Sequence, residues 1–184
     1  MIIEWPQFLK NGLPLGKKQA SVTIGVFDGV HRGHQALIKR VVSYNSDNIP
    51  VVFTFRAGDI QTFRQKTDML ISFGTEVLVV IDFDVSFRRI PGIEFLEILL
   101  KHINIGFFAI GSDFHCGYRQ DTDAAAIREF FTCRNIPVEI VPEVMEGGLP
   151  ISSSRIRAAL AAGDFLAAET MLGDRMCVKS STST

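Results

Sequence analysis

The sequence predicts an α/β fold built on a five-stranded, mainly parallel sheet with helices on both faces. Three observations predict it. Short apolar, β-branched runs alternate along the chain with stretches of helical apolar spacing, the order that gives a parallel sheet with right-handed crossovers. The run at 49–55 is apolar almost throughout (Val51, Val52, Phe53, Phe55), which suits a strand covered on both faces. Polar, glycine-bounded clusters follow the strands, where open α/β sheets bind their ligands.

Residues 1–20 read as an irregular lead-in, with Trp5, Phe8 and Leu9 packed against the sheet and Gly12, Pro14 and Gly16 marking turns. The first strand is 21–27, with Val22, Thr23, Ile24 and Val26. Gly25, Gly29 and Gly33 then permit a sharp turn into a helix whose buried face carries Leu37, Ile38 and Val41. After a polar break at 45–48 comes the strand 49–55. Residues 56–67 form a polar loop around Gly58, and 66–73 a short helix stopped by Gly74. A third strand spans 76–81. Phe83, Phe87, Phe95, Leu96, Leu99 and Leu100 mark two helical segments around Pro91 and Gly92, their aromatics assigned to the core. The fourth strand, 105–110, ends at Gly111 and opens the polar loop GSDFHCGYRQ. A helix at 124–134, a strand at 137–141, a hairpin at 143–149 around Gly147 and Gly148, and helices at 151–162 and 165–172 complete the domain, 1–173. The Ser/Thr-rich end, 174–184, reads as a short disordered tail.

Composition excludes several classes. A chain of 184 residues with 47% apolar residues is one globular domain with a core of its own. A net charge of −1 argues against a general nucleic-acid binder. No stretch approaches the roughly 18 apolar residues that span a bilayer, and the N-terminus lacks a basic region before an apolar run. Cys116, Cys133 and Cys177 are odd in number and widely spaced, so they read as reduced thiols of a cytoplasmic protein with no metal site.

The most informative stretch is GVFDGVHRGH. A strand feeds a helix N-terminus through glycines, where free N–H groups and the helix dipole attract an anion. His31 and His34 add donors at that spot. Asp28 either fixes the turn or acts on a ligand through water. The wording resembles the HxGH nucleotidyltransferase signature, and FDGVH is similar to the FMN adenylyltransferase module of bacterial FAD synthetases. That resemblance implies a Rossmann-like nucleotidyltransferase fold and makes Gly25, Phe27, Asp28, Gly29, His31 and His34 an ATP-binding turn, with His31 and His34 catalytic.

A second stretch, ISSSRIRAALAAGD, carries another anion-binding helix start. Ser152 is a suitable N-cap, with Ser153 and Ser154 in the first turn. Arg155 and Arg157 are two apart and point to different faces, so one of them faces the ligand. Alone this is a capped helix with surface arginines. Beside the first motif it resembles the ISST-x-I-R element of the same family, which implies that Ser153, Ser154 and Arg157 contact ATP phosphates. The closing MLG and the FDVSF…EFL segment are also similar to that family.

The implied reaction is attack of the FMN phosphate on the α-phosphorus of ATP, with pyrophosphate leaving and Mg²⁺ bridging phosphate oxygens. His34 would stabilise charge on the leaving oxygen, while His31 would contact or orient the phosphates. In the central loop Gly111, Asp113, Phe114 and Gly117 fit the family's G-x-D-F-x-x-G, placing Asp113 and Phe55 on the FMN side; Cys116 replaces an aromatic. Where the family continues T-F-D-P-H-P, this chain has Thr54, Phe55, Arg56, Ala57, Gly58 and Asp59. The change leaves two alternatives open: a nucleotidyltransferase with another phosphorylated acceptor, or a non-catalytic nucleotide- or flavin-binding module. The family's riboflavin kinase module does not follow in this sequence, which leaves two readings open: FMN comes from a separate riboflavin kinase, or this sequence is a module excised from a longer protein.

Overall fold

A computed structural model describes residues 1–173. The expected tail, 174–184, and Cys177 lie outside the described residues. In chain order the elements are β1 (Ile2–Glu4), α1 (Trp5–Asn11), β2 (Ala20–Gly25), α2 (Arg32–Ser43), β3 (Ile49–Phe55), α3 (Phe63–Ser72), β4 (Val77–Ile81) and α4 (Gly92–His102). There follow β5 (Ile105–Gly111), the short pair β6 (His115–Cys116) and β7 (Thr122–Asp123), α5 (Ala124–Thr132), β8 (Val138–Val141), the hairpin β9 (Met145–Glu146) and β10 (Leu149–Pro150), α6 (Ser153–Ala161) and α7 (Phe165–Leu172).

The central sheet has six strands in the order β1-β4-β3-β2-β5-β8, and every pairing in it is parallel. The sixth strand corrects the expected five. It lies in the supposed lead-in, where β1 pairs Ile2 with Leu78 through Glu4 with Val80. Three residues are too few to show a period, and their partner is far along the chain. Pro6 sits in the first turn of α1, where its missing N–H costs nothing. Trp5 and Phe8 are buried as expected, whereas Leu9 is exposed.

Alternation along the strands sorts the core into two layers. Val22, Ile24, Val51, Phe53 and Val79 meet residues of α1, α4 and α5 on one face. Val52, Leu78, Phe107 and Ala109 meet Leu37, Ile38 and Val41 of α2 and Leu70 of α3 on the other. A third cluster, Ile151, Ile156, Ala168, Met171 and Leu172, holds α6 against α7.

The sheet order places the site. From β2 the chain runs outward through β3 and β4, then crosses back through α4 to β5 on the other side of β2. The order therefore reverses between β2 and β5, and the crevice beyond their carboxyl ends is the ligand position of such sheets.

Candidate active site

β2 ends at Gly25, two residues earlier than its composition predicts. Val26 is 46% exposed, and Phe27 turns into the left-handed region at φ 54°. Gly29 (φ 80°) and Val30 (φ 40°) complete the turn. A buried β-branched residue at positive φ is held at a cost of roughly 1–3 kcal/mol and persists only where neighbours impose it. Here the Gln35 side-chain amide donates to the Val30 and Leu172 carbonyls, tying the turn to α7. A Cβ on Gly29 would also crowd the side-chain ends of Ile60 and Leu172 at 3.2 Å.

His31 is the N-cap of α2. Its Nδ1 accepts from the His34 backbone N–H at 3.4 Å, which leaves the ring proton on Nε2. The His31 ring stacks on His34 with centroids 3.6 Å apart, and His34 meets the Phe27 ring edge-on at 5.1 Å. A Cβ on Gly33 would sit 3.2 Å from the His31 ring, so glycine there lets the imidazole lie over the first turn. Burial pushes the His31 pKa down to about 4, against the opposing pull of Asp113 and Asp28. Burial likewise holds His34 well below the usual histidine value, helped by the charges of His31 and Lys66. Both rings are neutral at pH 7, and the buried His34 Nδ1 has no partner among the described residues.

Asp28, 3% exposed, joins three segments. Its carboxylate accepts from the Ile60 backbone N–H at 3.0 Å and from Arg157 at 2.7 Å. Its carbonyl accepts from the Ser153 hydroxyl at 2.9 Å. These contacts fit the turn-fixing reading of Asp28. Arg157 also donates to Ser154 at 3.3 Å. Ser152 caps α6 through the Arg155 N–H, and the Arg155 guanidinium turns away to the carbonyls of Glu146, Leu149 and Pro150, fastening the β9–β10 hairpin. The two arginines thus part as their spacing requires.

A cavity of about 500 Å³ opens at the carboxyl ends of β2, β3, β5 and β8. The sequence-derived residues that line it are Gly25, Phe27, His31, His34, Ser153, Phe55 and Asp113. Asp28, Gly29, Ser154 and Arg157 are not in its lining; they form the joint behind the turn. Phe83, Phe87 and Arg88 line it as well. The assignment of these aromatics to the core holds for Phe95, which is buried, and for Phe87, which packs against the core, and is corrected at Phe83, which is 49% exposed. Helical spacing cannot separate a core stripe from one facing a ligand crevice.

The polar loop after β3 is not merely solvated. A capping box between Thr62 and Gln65 starts α3 at Phe63, three residues before the expected Lys66. The loop folds onto the turn: a Cβ on Gly58 would lie 2.6 Å from the Asp28 carboxylate, and Gln61 donates to the Phe27 carbonyl. Arg56 leaves it for Glu4 and Asp82. Lys66, buried beneath, belongs to no motif; its one sequence cue was a lysine on the inward stripe of a helix.

The family model described as FAD synthetase matches residues 14–155. The bifunctional riboflavin kinase/FMN adenylyltransferase of Escherichia coli strain K12 is 30% identical over 167 residues, 83% of this chain and 53% of that protein. The FAD synthetase of Listeria monocytogenes is 29% identical over 170 residues, 85% of this chain and 69% of that protein. A crystal structure described as a macrolide-efflux protein from Streptococcus pneumoniae superposes with a TM-score of 0.81 at 28% identity, covering 94% of this chain and 60% of that one. The chain spans about half the length of the Escherichia coli relative. Among the described residues no helix is long and apolar enough to cross a membrane. The family match runs through the starts of both helices that face the Asp28 joint, and the chain belongs to the FAD synthetase family.

Proposed function

We propose that the protein transfers AMP from ATP to the phosphate of FMN, giving FAD and pyrophosphate. One observation carries this reading: a single cavity joins a neutral histidine pair and the start of α6 to a wall of aromatic side chains. The polar end suits a triphosphate, and the aromatic end suits a flat, apolar ring system.

In this reading an FMN phosphate oxygen attacks the α-phosphorus of ATP while the bond to the bridging oxygen breaks and pyrophosphate departs. Catalysis is positioning plus stabilisation of developing charge, with no covalent intermediate on the protein. His31 and His34, held neutral by burial, serve as fixed N–H donors to phosphate oxygens, His34 toward the leaving bridging oxygen. Ser153 gives the cavity its second phosphate wall, and Ser154 and Arg157, next to it on α6, reach the phosphates once incoming oxygens take the Arg157 guanidinium from Asp28. Phe55 and Asp113 face the flavin.

Among the described residues no three His, Cys, Asp or Glu side chains gather to hold a metal, and both Asp28 carboxylate oxygens are engaged. In this reading Mg²⁺ enters on the triphosphate as part of the substrate, neutralising its charge. FMN comes from a riboflavin kinase, an activity named in the Escherichia coli relative, and the reaction takes place in the cytoplasm.

The loop at Arg56, Ala57 and Gly58 favours one second reading, the same transfer to another phosphorylated acceptor. Incubation with Mg·ATP and FMN, following FAD and pyrophosphate, tests both. FAD formation is expected. No FAD at any magnesium level, with pyrophosphate released only on another phosphorylated acceptor, selects the second reading; release with neither leaves a binding module.

A further inference from the structure

Lys66 is 2% exposed and takes no part in the sequence motifs. Its Nζ donates to the carbonyls of Phe55 (2.6 Å), Ala57 (2.6 Å) and Val26 (3.0 Å). Those three residues come from the end of β3, the loop after it and the turn after β2, and all three line the cavity. The ammonium thus lies behind the cavity wall at the seam between the histidine turn and the acceptor-side loop. Among the described residues no carboxylate pairs with it directly. The charged groups that act on it are Asp28, which favours its charge, and Arg56, which opposes it, and it in turn acts on His34. The Phe63 ring closes the far side at 5.8 Å.

We propose that Lys66 is a positioning residue: its ammonium clamps the nucleotide-side turn to the acceptor-side loop so that the two substrates meet in register. The role rests on the functional reading above but is tied to different atoms. A charged ammonium has three N–H donors for three carbonyls. Deprotonated, it has two, and one of the three wall contacts is lost. Burial lowers the Lys66 pKa to about 8, so the clamp opens within an accessible pH range. The turn it holds carries Phe27 and Val30 at positive φ, which relax once a constraint is lost.

The test compares wild type, Lys66→Met and Lys66→Arg by FAD formation and by hydrogen exchange at the Val30, Arg56 and Ile60 amides, each hydrogen-bonded in this region. Lys66→Met should stay folded, exchange faster at those amides and lose about tenfold to a hundredfold in kcat/KM, since small misplacements of reacting groups cost that much. Lys66→Arg keeps the charge and should recover part of the loss. Its rate should also lack the wild-type decline through pH 8. Unchanged exchange or unchanged turnover in Lys66→Met overturns the proposal. So does an alkaline limb that stays near pH 8 in Lys66→Arg, which decides the matter if Lys66→Met does not fold. Wild type that makes no FAD refutes the functional reading instead, and the exchange data still judge the clamp.

Discussion

Lowering the pH from 7 to 5 should destabilise the fold through His31. His31 is 6% exposed, and burial puts its pKa at about 4 against the ordinary 6.5 of an unfolded chain. Between those values the unfolded chain binds the proton and the folded one does not, so stability falls as the pH falls through 6.5 and levels off below about 4. Integrating that difference down to pH 5 gives about 2 kcal/mol from His31 alone, with His34 adding in the same direction. For a domain of this size the melting temperature should drop by about 4–8 °C. The window is clean, because Asp84, whose pKa is lowered by Ser86 and the Phe87 N–H, gives up its contribution only below the usual carboxylate range. Thermal unfolding followed at pH 7, 6 and 5 reads the effect, with His31→Asn as control; asparagine keeps an acceptor for the His34 N–H and removes the titration. A melting temperature flat from pH 7 to 5, or the same slope in His31→Asn, would refute the burial reasoning.

Three substitutions probe the surroundings. Gly58→Ala drives a Cβ to 2.6 Å from a carboxylate that Arg157 and Ile60 hold in place, at a φ of 115°; calorimetry should show a loss of about 1–3 kcal/mol. His34→Ala should lower FAD formation by about a hundredfold or more while ATP still binds in titration calorimetry, and unchanged turnover would remove it from the chemistry. Arg157→Ala should weaken ATP binding and turnover together. It should also cost about 1–2 kcal/mol, a figure tempered by the exposure of the arginine although Asp28 is buried; an effect on neither substrate nor stability would make Arg157 a plain surface residue.

The glycine turn, the two helix starts and the existence of the strands β2, β3, β4, β5 and β8 in a parallel sheet were legible because each has a local signature: a β-branched run, a cap, a left-handed position. What escaped was made by distant partners. β1 is a strand only because β4 accepts it at an edge, and nothing within Ile2, Ile3 and Glu4 announces that. Phe83 has the spacing of a core residue, and only the crevice beyond the strand ends leaves it half uncovered. The same holds for Lys66, whose environment consists of carbonyls from three segments, a pattern that side-chain identity cannot encode. The Asp28–Arg157 pair joins the two motifs directly, but the type of each residue alone could not tell a ligand contact from a structural one.

Trp5 gives the fold an optical consequence. It is the sole tryptophan of the chain, buried in α1, and it meets Phe87 edge-on with ring centroids 5.6 Å apart. Phe87 has its other side on the cavity. The indole is therefore one ring away from whatever occupies that space, while staying out of its contact. A flavin lodged there would accept excitation energy from the indole across the single intervening ring, so the protein's own emission becomes a gauge of occupancy that needs no label.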